Sequence, residues 1–268
     1  MTKIISIGTF KGGVGKTITV FNVAGILAEL GYKVLCIDVD PQGNLTKNCD
    51  VNRAVKNFNG AELIFDVKKH SLNKILIKSP IKEIPNLDII PSSIWLHQSE
   101  FRLALAPARE LKLKYFLEDN KKQLTDYDYI LIDTNPSMGY LNQNAFVVSD
   151  KIIIPATPDE SDIDGINLFC LLWDSIRNQL RLKDNIAAVV VTRYDVRNAI
   201  DKRFIHYIKT SPHTEVIKTL LLDTVIPTNV TLKNSANAHL PINLYDKNSN
   251  GYIAYHKLVN ELLMKGVL

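Results

Sequence analysis

A short segment near the start of the chain combines two lysines, three glycines and a threonine. It consists of Lys11, Gly12, Gly13, Val14, Gly15, Lys16 and Thr17. An apolar run precedes it, and a stretch with helical spacing follows it. Glycine lets backbone N–H groups approach an anion without a Cβ in the way, and the helix directs its positive end at the same point. The segment therefore predicts a phosphate site, with Lys16 on the β- and γ-phosphates and the Thr17 hydroxyl on Mg²⁺.

The segment departs from the general phosphate-loop pattern G-x-x-x-x-G-K-[ST] in one place. Phe10 stands where the first glycine of that pattern belongs. A glycine-rich turn that carries a surface lysine is the alternative interpretation. The order of strand, glycine-rich loop and helix favours the phosphate site, because the loop needs both neighbours to aim its N–H groups.

Three aspartates come at the ends of later apolar runs. Asp38 and Asp40 follow residues 34–37 closely, and Asp133 follows residues 129–132. Ligands bind at the carboxyl ends of the strands in a parallel sheet, so we expect Asp133 to hold Mg²⁺ through water. Strand alternation places Asp38 and Asp40 on one face. The alternatives are a helix cap for Asp133 and a structural hydrogen bond to the loop for Asp38.

The elements that position these residues alternate along the chain. Apolar runs typical of strands covered on both faces occur at 4–7, 34–37, 87–90, 129–132, 152–154 and 188–191. Helical spacing occurs at 16–30, 99–117, 162–180, 200–209 and 252–264, and Gly31 is placed to end the first of these helices. The alternation predicts an α/β fold, a doubly wound and mostly parallel sheet flanked by helices, in a single domain over residues 1–268.

The composition is typical of a globular protein in a reducing compartment. Of the 268 residues, 46% are hydrophobic and 22% are charged, so disorder is not the default interpretation. Three well-separated cysteines without a CxxC pair indicate neither a metal knuckle nor a redox dithiol. The first run is too short for a signal peptide, and no apolar stretch reaches the ~20 residues that span a bilayer. We therefore expect a cytoplasmic protein.

The lysine- and glycine-rich segment resembles the deviant Walker A motif of the ParA/MinD group of P-loop ATPases. Residues 37–44 (IDVDPQGN) resemble the second motif of that group in its ParA form, and residues 127–133 (YDYILID) resemble its Walker B segment. Residues 87–93, 224–232 and 245–255 are similar to further ParA landmarks, so the resemblance covers nearly the whole chain. It implies a P-loop ATPase with ATP and Mg²⁺ as cofactors.

The resemblance also implies roles for individual residues. Lys11 would reach the ATP held by a partner subunit, in the manner of an arginine finger, while Lys16 holds the phosphates of its own chain. Asp40 would position the attacking water, and Asp38 would support the metal shell around Thr17 and Asp133. These roles make Lys11, Lys16 and Asp40 the predicted catalytic residues.

The resemblance places the nucleotide base near Pro227 and Asn229, beside the strand end at residues 192–193. The chain departs from the family pattern with Ile18 for threonine, Asn135 for proline, Thr228 for arginine and Arg193 for methionine. Ile18 stays in the predicted nucleotide set, although it lacks the hydroxyl near the α-phosphate. The last two departures put in doubt a simple transfer of DNA-contact residues.

Cations cluster in the last third of the chain. Arg197, Lys202, Arg203 and Lys209 lie on or beside the helix predicted at 200–209, and the net charge of the whole chain is +4. Non-specific DNA binding needs only such phosphate contacts, but a solvated helix face explains the same charges. The resemblance favours DNA binding by these four residues.

The function that the resemblance implies is an ATP-dependent switch for plasmid or chromosome partition. Mg-ATP would join two subunits into a homodimer that binds nucleoid DNA without sequence preference. A ParB-like centromere-binding partner would stimulate hydrolysis and so release the DNA. The first strand begins almost at once, so we expect the short form without an N-terminal helix-turn-helix region.

Three alternatives compete with this interpretation. A MinD-like membrane-associated positioning ATPase needs a basic amphipathic tail, whereas residues 258–268 are apolar with few cations and fit a core-packed helix better. An iron–sulfur relative needs cysteines at a subunit junction, but Cys36 and Cys170 fall inside predicted elements. A non-catalytic binding module would not need the complete set of lysines, threonine and aspartates described above.

Overall fold

The computed structural model describes residues 1–54 and 58–268. These residues form an eight-stranded sheet in which the neighbours run in the order β3-β4-β2-β5-β1-β6-β7-β8. The strands are β1 (Lys3–Ile7), β2 (Val34–Asp38), β3 (Ile77–Lys78), β4 (Leu87–Ile90), β5 (Tyr129–Asp133), β6 (Lys151–Ala156), β7 (Ile186–Tyr194) and β8 (Leu221–Pro227). All neighbours pair in parallel except β3, which pairs antiparallel with β4. The mostly parallel α/β fold is confirmed.

Helices connect the strands and cover both faces of the sheet. The α-helices are α1 (Lys16–Glu29), α2 (Asn44–Asn48), α3 (Leu96–Leu105), α4 (Lys112–Asp119), α5 (Lys121–Leu124), α6 (Tyr140–Val148), α7 (Glu160–Gln179), α8 (Ala199–Thr210), α9 (Glu215–Leu220), α10 (Val230–Asn237), α11 (Ile242–Tyr245) and α12 (Asn250–Met264). Short 3₁₀ helices occur at Ala61–Phe65, Leu72–Lys74, Arg109–Leu111 and Pro212–Thr214. Gly31 follows α1 with φ of 92°, as predicted for the residue that ends this helix.

The six strands predicted from apolar runs are all present, but the two edge strands were not predicted. Most residues of the edge strand β8 are exposed or half-buried. Asp223 and Thr224 therefore occur within it and interrupt the apolar run that would have predicted a strand. The other edge strand, β3, has two residues, which is too short to give a periodic signal. An edge strand faces solvent on one side and lacks the continuous apolar pattern of a central parallel strand.

The prediction of one helix over residues 99–117 is wrong. The chain forms α3, leaves the helical conformation at Ala106, and resumes with a 3₁₀ turn and α4. Pro107 explains the break, because proline has no N–H and disfavours the helical conformation in the residue before it. Ala108 then takes a left-handed φ of 50°.

Alternation along each strand separates two apolar layers. Val34, Cys36 and Leu131 face one layer with α1 and α12, whereas Leu35 and Ile37 face the other with α6 and α7. The helix after β1 and the helix after the adjacent β5 therefore lie on opposite faces of the sheet. Their strand ends enclose the crevice where doubly wound folds bind ligands.

Candidate nucleotide site

The glycine-rich segment forms the loop between β1 and α1. Gly13 and Gly15 have φ angles of 75° and 89°, a left-handed conformation that glycine adopts without strain. An added Cβ at Gly12 would meet no atom within 4 Å, so the outside of the loop is open. The hydroxyl of Thr192, near the end of β7, donates to the carbonyl of Val14 at 2.7 Å and so connects the loop to the sheet. The result is an open turn at the N-terminus of a buried helix, which suits a phosphate group.

Lys16 lies in the first turn of α1 with 7% of its surface exposed. Its Nζ donates to the carbonyl oxygen of Lys11 at 2.9 Å, across the mouth of the loop. Burial lowers the pKa of Lys16, and the nearby carboxylates of Asp133 and Asp40 oppose that effect. An ammonium group that is largely removed from water beside this loop is well placed to bind phosphate oxygens.

Asp133 ends β5 and is fully buried. It pairs in register with Ile7 on one side and with Asp38 on the other, so it lies one strand away from the phosphate loop. Among the described residues, neither of its carboxyl oxygens has a hydrogen-bond partner. Burial and the neighbouring charge of Asp38 raise the pKa of Asp133 well above its ordinary value, although the nearby Thr17 hydroxyl lowers it in part. A buried carboxylate without a donor is costly unless a cation meets it, which fits the predicted metal role.

Asp38 ends the adjacent strand, but its oxygens are already occupied. Oδ2 accepts hydrogen bonds from the N–H and the hydroxyl of Thr46, at 2.8 and 2.6 Å, and Oδ1 accepts from the N–H of Asp40 at 3.2 Å. Burial raises the pKa of Asp38 to about 6, against the effect of the Thr46 bonds. These contacts favour the structural alternative for Asp38. Its place in the metal shell stays a prediction.

Asp40 lies in the loop between β2 and α2, with 6% of its surface exposed. Its Oδ1 accepts a hydrogen bond from the N–H of Gln42 at 2.9 Å. Its carbonyl oxygen accepts from the Ser92 hydroxyl at 2.6 Å and from the N–H of Gly43 at 2.9 Å. The Asp40 carboxylate is thus held close to Lys16 by the loop that carries it, a geometry that suits a residue positioning a water molecule.

Lys11 is turned toward the start of α7 in its own chain. Its Nζ lies 2.7 Å from Asp162, 3.4 Å from Asp159 and 2.9 Å from the Ser161 hydroxyl. Partial burial lowers the pKa of Lys11, but Asp162 and Asp159 raise it more, so the net shift is upward. The predicted contact of Lys11 with a partner subunit stays a prediction, and it requires these bonds to break.

The segment predicted to hold the base reaches the same edge of the sheet. Pro227 ends β8, and the Thr228 hydroxyl donates to the carbonyl of Arg193 at 2.9 Å, joining the ends of β7 and β8. The guanidinium of Arg193 lies beside Gly13. The side-chain oxygen of Asn229 accepts from the N–H of Thr231 at 2.7 Å and caps α10. Contact of Pro227 and Asn229 with a base stays a prediction.

Ile18 belongs to the predicted nucleotide set, and its contact with a nucleotide stays a prediction. It lies in the first turn of α1, and its partly buried side chain packs against the core layer below the loop. Its carbonyl accepts a hydrogen bond from the Asn22 side chain at 2.8 Å. Because its side chain packs against the core layer, a nucleotide would meet Ile18 through its backbone.

The four predicted DNA contacts lie on or just before α8. Lys202, Arg203 and Lys209 are exposed, while Asp201, Phe204 and Ile208 form the buried side of the helix. Arg197 is also exposed, but its guanidinium makes an ion pair with Asp195 at 2.9 Å. The structure therefore brings three of these cations onto one helix and leaves Arg197 bound to its own loop.

Sequence reasoning missed several residues that hold the site together. Thr46 and Ser92 link the two aspartates after β2, since the Ser92 N–H donates to the Thr46 hydroxyl at 2.8 Å. Asp159 and Asp162 hold Lys11, and they could have been found. Asp159 is the N-cap of α7 and Asp162 lies in its first turn, so the preference for acidic residues at the start of a helix was the signal that could have indicated them.

The site residues fit a magnesium nucleotide. The open glycine loop and buried Lys16 match a phosphate chain, and the unpartnered oxygens of Asp133 beside Thr17 match a hard cation. No group of three or more acidic, histidine or cysteine side chains in residues 1–54 and 58–268 forms a metal site by itself. Mg²⁺ would therefore complete its shell with phosphate oxygens and water, as it commonly does.

Comparisons with known proteins agree with this geometry. A family model described as an AAA domain (AAA_31) matches residues 2–188. The chain is 35% identical over 267 residues to the sporulation initiation inhibitor protein Soj of Bacillus subtilis, covering 99% of this chain and all of Soj. It is 30% identical to the chromosome partitioning protein ParA of Caulobacter vibrioides, covering 98% of this chain and 94% of ParA.

A solved structure gives the same result at the level of the fold. A Borrelia burgdorferi protein assigned to plasmid partition, with AMPPNP bound, is 27% identical and has a TM-score of 0.76. The superposition covers 98% of this chain and 99% of the other. Together with the two relatives and the matched family model, this similarity shows that the chain belongs to the Soj/ParA family of ParA/MinD-type P-loop ATPases.

Proposed function

We propose that this chain is the ATPase of a DNA-partition system, and that all 268 residues act as one domain. The observation that carries the proposal is the cluster of buried Lys16, unpartnered Asp133 and loop-held Asp40 at the crevice beside the glycine loop. Bound Mg²⁺ would supply charge neutralisation at the phosphates. Lys16 and the loop hold the phosphates, Thr17 and Asp133 hold the metal, and Asp40 orients a water molecule for attack.

Lys11 is the residue that would couple dimerisation to ATP hydrolysis. In the single chain it is bound by Asp159, Ser161 and Asp162. In the proposed homodimer it leaves these groups and contacts the nucleotide held by the partner subunit. A cation added to the developing phosphoryl charge can raise the hydrolysis rate by roughly 10³–10⁵. Dimerisation and hydrolysis are coupled because one side chain serves both.

The proposed DNA surface is the exposed side of α8 with Lys202, Arg203 and Lys209. Phosphate contacts from such a helix carry no base specificity, so binding would follow the DNA backbone and weaken with salt. The Caulobacter vibrioides relative is named for chromosome partitioning, which supports nucleoid DNA as the surface that the dimer binds. A ParB-like centromere-binding partner would trigger hydrolysis, and the cargo would be a plasmid or a chromosome.

A MinD-like membrane switch is the second candidate, and the last helix argues against it. Leu258, Val259 and Leu262 of α12 are fully buried, and Val267 and Leu268 pack into the same core layer. These residues are therefore unavailable as the apolar face of a membrane-binding helix. Among the described residues, no helix is both long and apolar enough to cross a bilayer.

Nucleotide and DNA binding by the purified chain test the proposal. Lys16→Ala should abolish ATP binding, and Asp40→Ala should keep it but block hydrolysis, which leaves an ATP-bound dimer in size-exclusion chromatography. Wild-type protein with ATP should bind non-specific duplex DNA in low salt and should not sediment with anionic vesicles. Sedimentation with vesicles but not with DNA would select the membrane switch instead.

The DNA surface has its own test. Arg203→Glu should weaken DNA binding while basal ATP hydrolysis stays at the wild-type rate, because the side chain is exposed on α8 and is not among the residues proposed to hold ATP. Lys183→Glu, an exposed charge reversal outside α8, is the matched control. Equal DNA affinity of Arg203→Glu and wild type at low salt would remove α8 from the interface.

A further inference from the structure

Arg53 contacts the loop that carries Asp40, although neither the family resemblance nor the strand-end rule indicates it. Its Nη1 donates to the carbonyl of Pro41 at 3.0 Å, and its Nη2 donates to the carbonyl of Gln42 at 2.9 Å. These two carbonyls belong to consecutive peptide groups, 41–42 and 42–43, which follow the Asp40–Pro41 peptide bond. None of the ion pairs formed by the described residues includes Arg53, so its guanidinium is directed to these backbone acceptors.

Each of the two peptide groups is also bound to Asp40 at its other end. The group with the Pro41 carbonyl carries the Gln42 N–H, which donates to the Asp40 carboxylate at 2.9 Å. The next group, with the Gln42 carbonyl, carries the Gly43 N–H, which donates to the Asp40 carbonyl at 2.9 Å. A peptide group is planar, so fixing its carbonyl also fixes the direction of its N–H. Arg53 therefore sets the orientation of two of the donors that hold Asp40, the Gln42 N–H on its carboxylate and the Gly43 N–H on its carbonyl, while the Ser92 hydroxyl is the third.

Gly43 allows the guanidinium to come this close. Its φ is 65°, and a Cβ at this position would lie 2.1 Å from Nη1 and 2.5 Å from Cζ of Arg53. A larger residue at position 43 would displace the guanidinium as well as strain the backbone. The backbone at Gly43 and the side chain of Arg53 thus form one unit beneath the Asp40 loop.

We propose that Arg53 is a positioning residue that orients the Asp40 carboxylate through the peptide groups 41–42 and 42–43. The inference rests on the proposed role of Asp40 in ATP hydrolysis. A planar guanidinium can donate to two adjacent carbonyls at once, whereas a lysine ammonium acts as a point charge. Hydrogen bonds in series also polarise one another, so the guanidinium strengthens the N–H donors that face Asp40.

Arg53→Ala is the first test, with Lys47→Ala as the matched control. Lys47 is an exposed cation of α2 that lines the same surface pocket as Arg53. Arg53→Ala should lower the kcat of ATP hydrolysis by about 10- to 100-fold, the size of effect expected when a catalytic group is misplaced by about 1 Å. The Kd for ATP, measured with a fluorescent analogue, should stay within about twofold of wild type, because the phosphate loop is not contacted. Lys47→Ala should leave both values unchanged.

Two further variants separate positioning from general destabilisation. Arg53→Lys should restore little of the rate, and added guanidinium ion should partly rescue Arg53→Ala but not Arg53→Lys. The residual hydrolysis rate of Asp40→Ala should not fall further when Arg53→Ala is added, because both changes act on one group. Equal kcat for Arg53→Ala and wild type, a parallel loss of ATP affinity, or full additivity with Asp40→Ala would overturn the proposal.

Hydrogen exchange tests the same contact without any catalytic reaction. In nucleotide-free protein, Arg53→Ala should speed exchange of the Gln42 and Gly43 amides by at least about tenfold, while amides in β5 keep their wild-type protection. Unchanged exchange at these two amides would overturn the positioning role even if hydrolysis fell. A wild-type protein without ATPase activity would instead contradict the proposed function, and the exchange result would still decide the role of Arg53.

Discussion

The ends of β2 and β5 are neighbours in the sheet, yet their terminal aspartates are in opposite states. Asp38 and Asp133 pair in register, both are fully buried, and both have a raised pKa because of that burial. The oxygens of Asp38 accept three hydrogen bonds, from the Thr46 N–H, the Thr46 hydroxyl and the Asp40 N–H. No hydrogen bond of normal geometry reaches either oxygen of Asp133 among the described residues, and the nearby Thr17 hydroxyl and Lys16 offset only part of its raised pKa. Two aspartates at the carboxyl ends of neighbouring strands therefore differ in whether their own chain satisfies their hydrogen bonds.

The difference separates a carboxylate that stabilises the fold from a carboxylate that is available to a ligand. A buried polar atom that is satisfied by its own chain stabilises the fold, and it gains little from a ligand. A buried carboxylate left without donors destabilises the free protein and is relieved when a cation binds. By this criterion, the hydrogen bonds of Asp38 stabilise the Asp40 loop, whereas the state of Asp133 supports the metal role that we propose for it.

The largest expected effect comes from removing the charge of Asp133. Asp133→Asn should lower kcat for Mg-dependent ATP hydrolysis by roughly 10²–10³, comparable with the loss of one well-placed electrostatic group in an active site. Steady-state phosphate release across Mg²⁺ concentrations measures the change. Asp126→Asn, at an exposed carboxylate, is the control and should have no effect. Hydrolysis at the wild-type rate by Asp133→Asn would contradict the proposed difference between the two aspartates, because Asp133 would then have no role in the reaction.

The β2 side of the comparison is tested through Thr46. Thr46→Val removes the hydroxyl that donates to Asp38 at 2.6 Å and accepts from the Ser92 N–H at 2.8 Å. Two buried polar groups lose a partner, so the free energy of unfolding should fall by about 2 kcal/mol. Urea denaturation measures this change. Thr125→Val, at an exposed threonine, should change it by less than ~0.5 kcal/mol. Equal stabilities of Thr46→Val and wild type would show that the contacts of Asp38 do not support the fold.

The pH dependence of the free energy of unfolding tests the state of Asp133 at the end of β5. The folded-state pKa of Asp133 is raised above its ordinary value, so the folded protein keeps a proton that the unfolded chain has lost. The contribution of Asp133 to stability therefore decreases as pH rises from about 4, the unfolded pKa, to the folded pKa. Asp133→Asn has no such loss and should be more stable than wild type by about 1 kcal/mol near pH 8 without nucleotide.

Parallel urea denaturation of the two proteins between pH 5 and pH 8 measures this gain. The difference should shrink as the pH falls toward 5, because the folded wild-type carboxyl then keeps its proton and its burial as an anion no longer opposes folding. A stability difference that is independent of pH would contradict an ionisable, unpartnered Asp133.

The smallest expected effect applies the same criterion to the proposed DNA surface. Arg197 is already paired with Asp195, whereas Arg203 has no ion pair among the described residues. Arg203→Ala should weaken DNA binding by about threefold and reduce the salt slope by about 1, as loss of one phosphate contact does. Arg197→Ala should have a smaller effect, because its charge is partly neutralised in the free protein. Fluorescence anisotropy over a salt series compares the two, and a larger loss for Arg197→Ala would contradict this ranking.

Much of the architecture followed from short-range patterns. The six central strands are covered on both faces, so each gave a continuous apolar run in the sequence. The edge strand β8 has a solvated side, and the helix predicted at 99–117 contains Pro107, so the same patterns failed there. A sequence pattern reflects how a segment is buried and whether its backbone can continue. Both conditions change at an edge strand and at a proline that ends a helix.

The sequence by itself determined the phosphate loop and the acids at the strand ends. Glycine at positions 13 and 15, Lys16, and the apolar runs that end at Asp38 and Asp133 need only local geometry to be interpreted. Only the tertiary structure decided which aspartate is satisfied, where Lys11 is bound and what holds Asp40 in place. Those outcomes depend on Thr46, Asp162 and Arg53, whose side chains meet the site through folding and leave no periodic trace in the sequence.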